Sequence, residues 1–236
     1  MRAISSSLWS RGITHLDAVI ISHADADHYN ALPELLERFS VGVVYVSPVM
    51  FDEPTDALDR LHSSIVAAGV PIRELWQGAT LANRGGATIE VVHPPRTGVL
   101  GSDNANSLVL AVEYAGRRML LPGDLESPGL DDVMAELPYD CDVLLAPHHG
   151  SRRSDPPGFA AWCTPEWVVI SGGSDADPDV RRTYEQADAR VFNTGQDGAV
   201  EISVDRGQIR ATTWLANRGY LPWQADDQPD RMMPPK

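Results

Sequence analysis

Four side chains able to bind metal fall within six positions, His23-Ala24-Asp25-Ala26-Asp27-His28, with alanines as the only spacers. Imidazole nitrogens suit zinc and other transition ions, while carboxylates also take harder ions such as manganese, so a divalent ion is implied without its element being chosen. The segment follows an apolar run at residues 16–21 (LDAVII) that reads as a buried strand. A loop leaving such a strand can aim His23 and Asp25 to one side while Asp27 and His28 reach a second position. Two neighbouring ions could then share one loop. A solvated acidic loop with incidental histidines is the plainer alternative, and the density of ligand types argues against it.

Three further polar clusters lie at the ends of apolar runs, where functional residues collect on layered folds. In 121–126 (LPGDLE), Asp124 follows a strand and a glycine that lets the backbone approach closely, which suits a carboxylate bridging two ions; standing alone, it would read as a turn or cap residue. In 146–151 (APHHGS), two adjacent histidines allow one to bind metal while the other holds a substrate oxygen or donates a proton. The sequence does not order His148 and His149 between those roles, and both join Asp27 as catalytic candidates. Ser151 and Arg152 follow directly, placed to touch an anionic substrate. In 103–107 (DNANS), Asn106 is either a turn residue or a weak oxygen ligand and substrate contact.

The elements that must position these residues alternate between strand and helix patterns, as in layered α/β proteins. Leu32, Leu35, Leu36 and Phe39 have helical spacing, a strand follows at 41–46, and Leu58, Leu61, Ile65 and Ala68 mark a second helix leading to a strand at 71–76. Strands at 88–92, 108–114 and 117–121 follow, the last two joined by a tight turn at Ala115-Gly116, so this part is expected to be antiparallel. Ser127 and Pro128 open a third helix, and strands at 142–146 and 167–170 precede a fourth opened by Asp177-Pro178. A closing hairpin is expected from 191–193, turned at Gln196-Asp197-Gly198. Residues 1–215 form one domain in this reading, and 216–236, rich in Pro, Asp and Gln, a flexible tail.

A chain of 236 residues can bury a substantial core without staples, and Cys141 and Cys163, each in an apolar setting, read as buried thiols. No apolar run approaches the ~18 residues of a membrane span, and residues 1–10 lack the regions of a signal peptide. The chain is therefore expected to be soluble: cytoplasmic if it stands alone, otherwise the soluble domain of a membrane protein. Its net charge of −14 works against strong non-specific nucleic-acid binding. It does not exclude a nuclease, because bound divalent ions reverse the local field.

HADADH, NANSLVL, LPGDLE and PHHGS, in this order and at these separations, resemble the metallo-β-lactamase fold and, within it, the hydrolase domain of the ComEC competence family. The resemblance runs from about residue 11 to 214. It implies an αββα sandwich and two divalent ions, zinc or manganese. By it, His23 and Asp25 serve one ion, Asp27 and His28 the other, Asp124 bridges them, and His148 or His149 completes the set. It further implies hydrolysis by a metal-bound hydroxide, with single-stranded DNA or another phosphodiester as substrate and a role in DNA uptake. The alternatives are a small-molecule ester or phosphoester hydrolase of the same fold, and a non-catalytic metal-binding domain. Two departures accompany the resemblance: the family's first N-terminal strands are expected to be missing, which would leave a sheet edge open to association, and SGGSDADPD stands where relatives carry a Gly-His-Pro.

Overall fold

The chain begins, in the computed structural model, which describes residues 2–82, 85–173, 177–215 and 219–223, with helix α1 (Arg2–Ser10). Leu8 of α1 packs among the helices that follow, and Trp9 stacks on Phe39 with ring centroids 5.5 Å apart. β1 (His15–Leu16) and β2 (Val19–Ile20) lead into α2 (Ala26–Tyr29) and α3 (Leu32–Arg38). β3 (Ser40–Val41) and β4 (Val44–Val46) lead into α4 (Asp56–Ala67), capped by the Thr55 hydroxyl, and then β5 (Ile72–Glu74). β1 pairs with β3, and β2, β4 and β5 form a small sheet that β2 terminates; all these pairs are parallel, as helical crossovers require.

The runs at 16–21 and 41–46, each expected as one strand, are both broken. A Cβ on Gly42 would lie 2.5 Å from the Asp17 carbonyl oxygen, so a glycine lets the two runs approach closely at the break, and the same register continues across it, His15 opposite Ser40 and Val19 opposite Val44.

The antiparallel stretch follows as β6 (Thr80–Ala82), β7 (Thr88–His93), β8 (Val109–Tyr114) and β9 (Arg117–Leu121). Helix α5 (Gly129–Ala135), β10 (Val143–Leu145), α6 (Pro156–Cys163), β11 (Trp167–Ile170), α7 (Pro178–Gln186) and β12 (Arg190–Asn193) then extend it with parallel strands. The result is a seven-stranded sheet, ordered β12-β11-β10-β9-β8-β7-β6. Ser127 does not cap α5: its hydroxyl bonds the Asp131 carboxylate at 3.0 Å, and the helix starts at Gly129 behind Pro128.

Period-two alternation divides this sheet between two cores. Val109, Leu120, Leu144 and Val168 face Leu130, Val133, Phe159 and Tyr184 of α5, α6 and α7. On the opposite face Leu108 and Leu110 meet Ile20 and Tyr45 of the small sheet, whose other side carries α3 and α4. Helix, sheet, sheet and helix are thus stacked in four layers, the expected αββα sandwich.

The expected hairpin after residue 191 does not form. β12 joins β11 in parallel, and α8 (Thr194–Asp197) follows because Asn193 Oδ1 accepts from Gly195 N while Asp197 accepts from Asn193 N. The hairpin is instead β13 (Val200–Asp205) with β14 (Gln208–Leu215), and Ala211, Ile202 and Ile209 pack on Val143 and Trp167. Of the expected flexible tail, Gly219–Trp223 is strand β15, paired antiparallel with β14; residues 216–218 and 224–236 lie outside the described residues. Among the described residues no helix is long and apolar enough to cross a membrane.

Candidate metal centre

The HADADH segment leaves β2 and turns directly into α2. Asp25 holds the extended N-cap position (φ −81°, ψ 140°), so His23 and Asp25 precede the helical turn while Asp27 and His28 belong to it. His23 is 1% exposed, beneath the loop. Its ring centroid lies 4.1 Å from that of His28, which lies 5.4 Å from that of His149. Asp124 comes in from the end of β9, where Gly123 (φ +60°) leaves no Cβ to press on Ser22 and Ser107. Its amide donates to Ser107 Oγ at 3.2 Å.

His28 Nε2 lies 3.3 Å from Asp124 Oδ1 and 3.7 Å from Asp27 Oδ2; His149 Nε2 lies 3.3 Å from Asp124 Oδ2 and 3.6 Å from Asp27 Oδ2. Among the described residues two groups of three possible ligand atoms result, each with its atoms within 4.8 Å of one another: His23, His28 and Asp124, and Asp27, His28 and His149. His28 is common to both groups, whereas the resemblance pairs it with Asp27 alone. Asp25 stands beside the first group, 3.6 Å from His23 Nε2.

The donor set fits a cation. His149 Nδ1 lies 2.8 Å from the Ser171 carbonyl, to which only an N–H can donate, so in the neutral ring Nε2 turns its lone pair toward Asp27 and Asp124. His23 Nε2 and His28 Nε2 are buried with no hydrogen-bond partner. Lone pairs and carboxylates converging in this way repel one another unless positive charge lies between them. Burial, aided by the charge of His28, lowers the His23 imidazole to about 4. The close approach of the Asp124 carboxylate outweighs burial and raises His28. Burial alone would raise Asp124, but His28, His149 and His23 hold it below the usual carboxylate range.

The two adjacent histidines part company because both adopt left-handed backbone, His148 at φ 49°, ψ 48° and His149 at φ 55°, ψ 24°. His149 faces the acidic centre. His148 turns the other way, its Nδ1 3.6 Å from Glu126 Oε2, and belongs to neither ligand group.

The candidate substrate contacts are already engaged. Asn106 is 6% exposed and braces its own loop, accepting from Val99 N and donating to the carbonyls of Val99 and Ser102. Both the oxygen and the amide hydrogens of Asn106 are thus engaged within its own loop. Ser151 Oγ accepts from Arg153 N, and Arg152 is tied to Asp177 and Asp179 at the start of α7. Two residues that sequence reasoning passed over support the ligands instead. Ser107 holds Asp124, and Ser22 touches both His23 and His28. Ser22's signal in the sequence is its place immediately before His23.

Among the described residues, cavities adjoin the centre on two sides. One of about 290 Å³ runs between the sheets, with Ser22, His28, Asp124 and His149 at one end and Ile20, Leu108, Leu110 and Leu121 along its walls. The other, about 510 Å³, is lined by Asp25, Asp52, Glu53 and Asp103. Burial, with the charges of Asp25 and Glu53, raises the Asp103 carboxyl.

Four layers with a ligand cluster at the strand ends are the arrangement of a metallo-hydrolase, and the sequence model of the metallo-beta-lactamase superfamily matches residues 2–155; the chain belongs to that superfamily. Among curated proteins it is similar to ComE operon protein 3 of Bacillus subtilis (strain 168), with 31% identity over 226 residues, 93% of this chain and 28% of that protein. It is 24% identical over 233 residues to the competence protein ComA of Neisseria gonorrhoeae, covering 94% of this chain and 30% of that one. The chain thus spans less than a third of the length of either relative. The Zn2+-bound PqqB of Methylobacterium extorquens shares the fold, with a TM-score of 0.50 at 15% identity over 75% of this chain and 71% of that one.

Proposed function

We propose that this chain is a divalent-metal hydrolase that cleaves phosphodiester bonds, with single-stranded DNA as its leading substrate and a role in DNA uptake. The observation that carries the reading is the pair of ligand groups meeting at His28. Because the single lone pair of His28 Nε2 can serve only one ion, His23, with Asp25 beside it, would serve one ion and His28, with Asp27 and His149, a second, Asp124 being within reach of both. Divalent ions supply Lewis acidity there and lower the pKa of bound water toward neutrality. The chain's own groups set the rest. Ser171 fixes the His149 ring, Ser107 fixes Asp124, and the buried position of His23 keeps it neutral at working pH. The similarity to competence proteins supports DNA as the phosphodiester.

A specific observation favours a second reading. The carboxylates of Asp25, Asp52, Glu53 and Asp103 around the larger cavity repel a polyanion and suit a small, uncharged ester. One experiment separates the readings: the purified chain, loaded with zinc or with manganese, is given a single-stranded oligonucleotide, a bis-aryl phosphate and an aryl ester. Oligonucleotide and bis-aryl phosphate cleavage, abolished in Asp27→Ala and Asp124→Asn, is the expected result. Ester cleavage alone would replace the first reading by the second, and metal binding without turnover on any of the three would overturn both in favour of a binding domain.

A further inference from the structure

We infer that Ser22 sets the ring tautomers of His23 and His28 together, so that one hydroxyl prepares both imidazoles to bind divalent ions through Nε2. The inference rests on the metal reading above. Ser22 Oγ lies 3.0 Å from His23 Nδ1 and 3.1 Å from His28 Nδ1. Among the described residues it is the hydrogen-bond partner of both nitrogens.

A hydroxyl has one proton and two lone pairs, and a neutral imidazole carries its proton on only one nitrogen. Two bare Nδ1 atoms would compete for the single hydroxyl proton, and the loser would face oxygen lone pair to lone pair. At least one ring must therefore be protonated at Nδ1. When both are, Oγ accepts two hydrogen bonds and its own hydrogen can turn toward the cavity that Ser22 helps to line. Both Nε2 atoms are then bare, and these are the two buried nitrogens left without a hydrogen-bond partner beside Asp25, Asp27 and Asp124.

The hydroxyl is itself well fixed. Ser22 O accepts from Leu108 N at 2.8 Å, tying the loop to the larger sheet. On the other side a Cβ at Gly123 would come within 3.0 Å of Ser22 Cβ. Packing thus holds Ser22 from two directions. Because Ser22 contacts His23 on one side of the centre and His28, which stands beside Asp27 and His149, on the other, the two ion positions share a single support, and its loss is expected to weaken them in parallel rather than one at a time.

The test uses the whole chain labelled with ¹⁵N at histidine, Zn2+ as the probe, and long-range ¹H–¹⁵N correlation spectra, which identify the protonated nitrogen of each ring. In zinc-loaded wild type, His23 and His28 are both expected to show a protonated Nδ1 and a zinc-shifted Nε2. Ser22→Ala is expected to mix the tautomers in the metal-free chain and to lower zinc affinity about 10- to 100-fold at both positions, the usual range for a supporting residue of a ligand. Ser22→Thr, which keeps the hydroxyl, is expected to restore the wild-type ring spectra. A purely structural serine would shift the thermal midpoint and leave ring spectra and zinc affinity as they were, which overturns the inference. So does either histidine binding zinc through Nδ1 in wild type, a result that needs no variant to fold. If wild type binds no zinc or manganese at all, the metal reading itself fails, and this inference with it.

Discussion

Gly129→Ala is expected to destabilise the protein although it replaces glycine by the best helix former at the first residue of α5. Helix propensity alone favours the change by about 1 kcal/mol. The added Cβ, however, would lie 2.0 Å from the Ala105 carbonyl oxygen and 2.8 Å from His93 Nε2. Those two atoms bond each other at 2.8 Å, and His93 is 2% exposed, so solvent cannot replace the lost bond. Leaving such a pair unsatisfied costs about 1–3 kcal/mol, and forcing packed backbone aside costs about 1–3 kcal/mol more. Net of propensity the loss is about 1–5 kcal/mol, or roughly 2–20 °C in Tm for a domain of this size. Thermal and urea unfolding of the metal-free chain measure it. Combining the variant with His93→Ala should give less than the sum of the separate losses, because both remove the same bond. An unchanged or raised midpoint for Gly129→Ala would refute the packing argument. The effect should reach the centre as well, since Ala105 lies two residues before Ser107, which holds the Asp124 amide.

His149→Ala should reduce bound zinc, measured by elemental analysis after dialysis, whereas His148→Ala, whose ring faces Glu126, should leave the stoichiometry unchanged. Zinc at a hundred times its Kd should raise the unfolding free energy by about 2.7 kcal/mol, a gain that a chelator reverses and His28→Ala lacks. For metal-free protein, His23 has a folded pKa of about 4 against 6.5 unfolded, so its contribution is complete above pH 6.5 and is lost as pH falls toward 4. At about 1.4 kcal/mol per pH unit, the loss is at most about 3.5 kcal/mol. Because His28 is shifted the other way and partly masks it, the comparison is between wild type and His23→Gln in urea at pH 6.5 and 4.5, where wild type should lose more.

What the sequence revealed followed how local each signal was. HADADH packs its candidate ligands within one turn, and period-two and helical spacings carry the layers, so the candidate cluster and the layers were legible. The choice between His148 and His149 was not, because it depends on two left-handed backbone positions that histidine does not advertise. Asn106 was taken as a possible ligand because its amide suits an ion or a loop equally well, and only tertiary placement shows the loop using it. The supposed hairpin after residue 191 failed for a related reason: a β-like run gives no hint that its partner lies on β11. α6 went unnoticed because PPGFAAWC is too apolar to mark a polar face and opens with two prolines that suggest a loop. Ser22 and Ser107 went unnoticed because serine is seldom a ligand and supports one only through geometry.

The histidine pair carries a standing conformational cost. Each left-handed residue other than glycine costs about 1–2 kcal/mol, and His148 and His149 occur in succession before Gly150, itself at φ 78°. The segment is held by neighbours on both sides, His148 N to the Gly123 carbonyl at 3.0 Å and His149 Nδ1 to the Ser171 carbonyl at 2.8 Å. Opening of this turn would relieve that cost and carry His149 away from Asp27 and Asp124, so the histidine that reaches the centre is also the one whose backbone has a conformational reason to leave it.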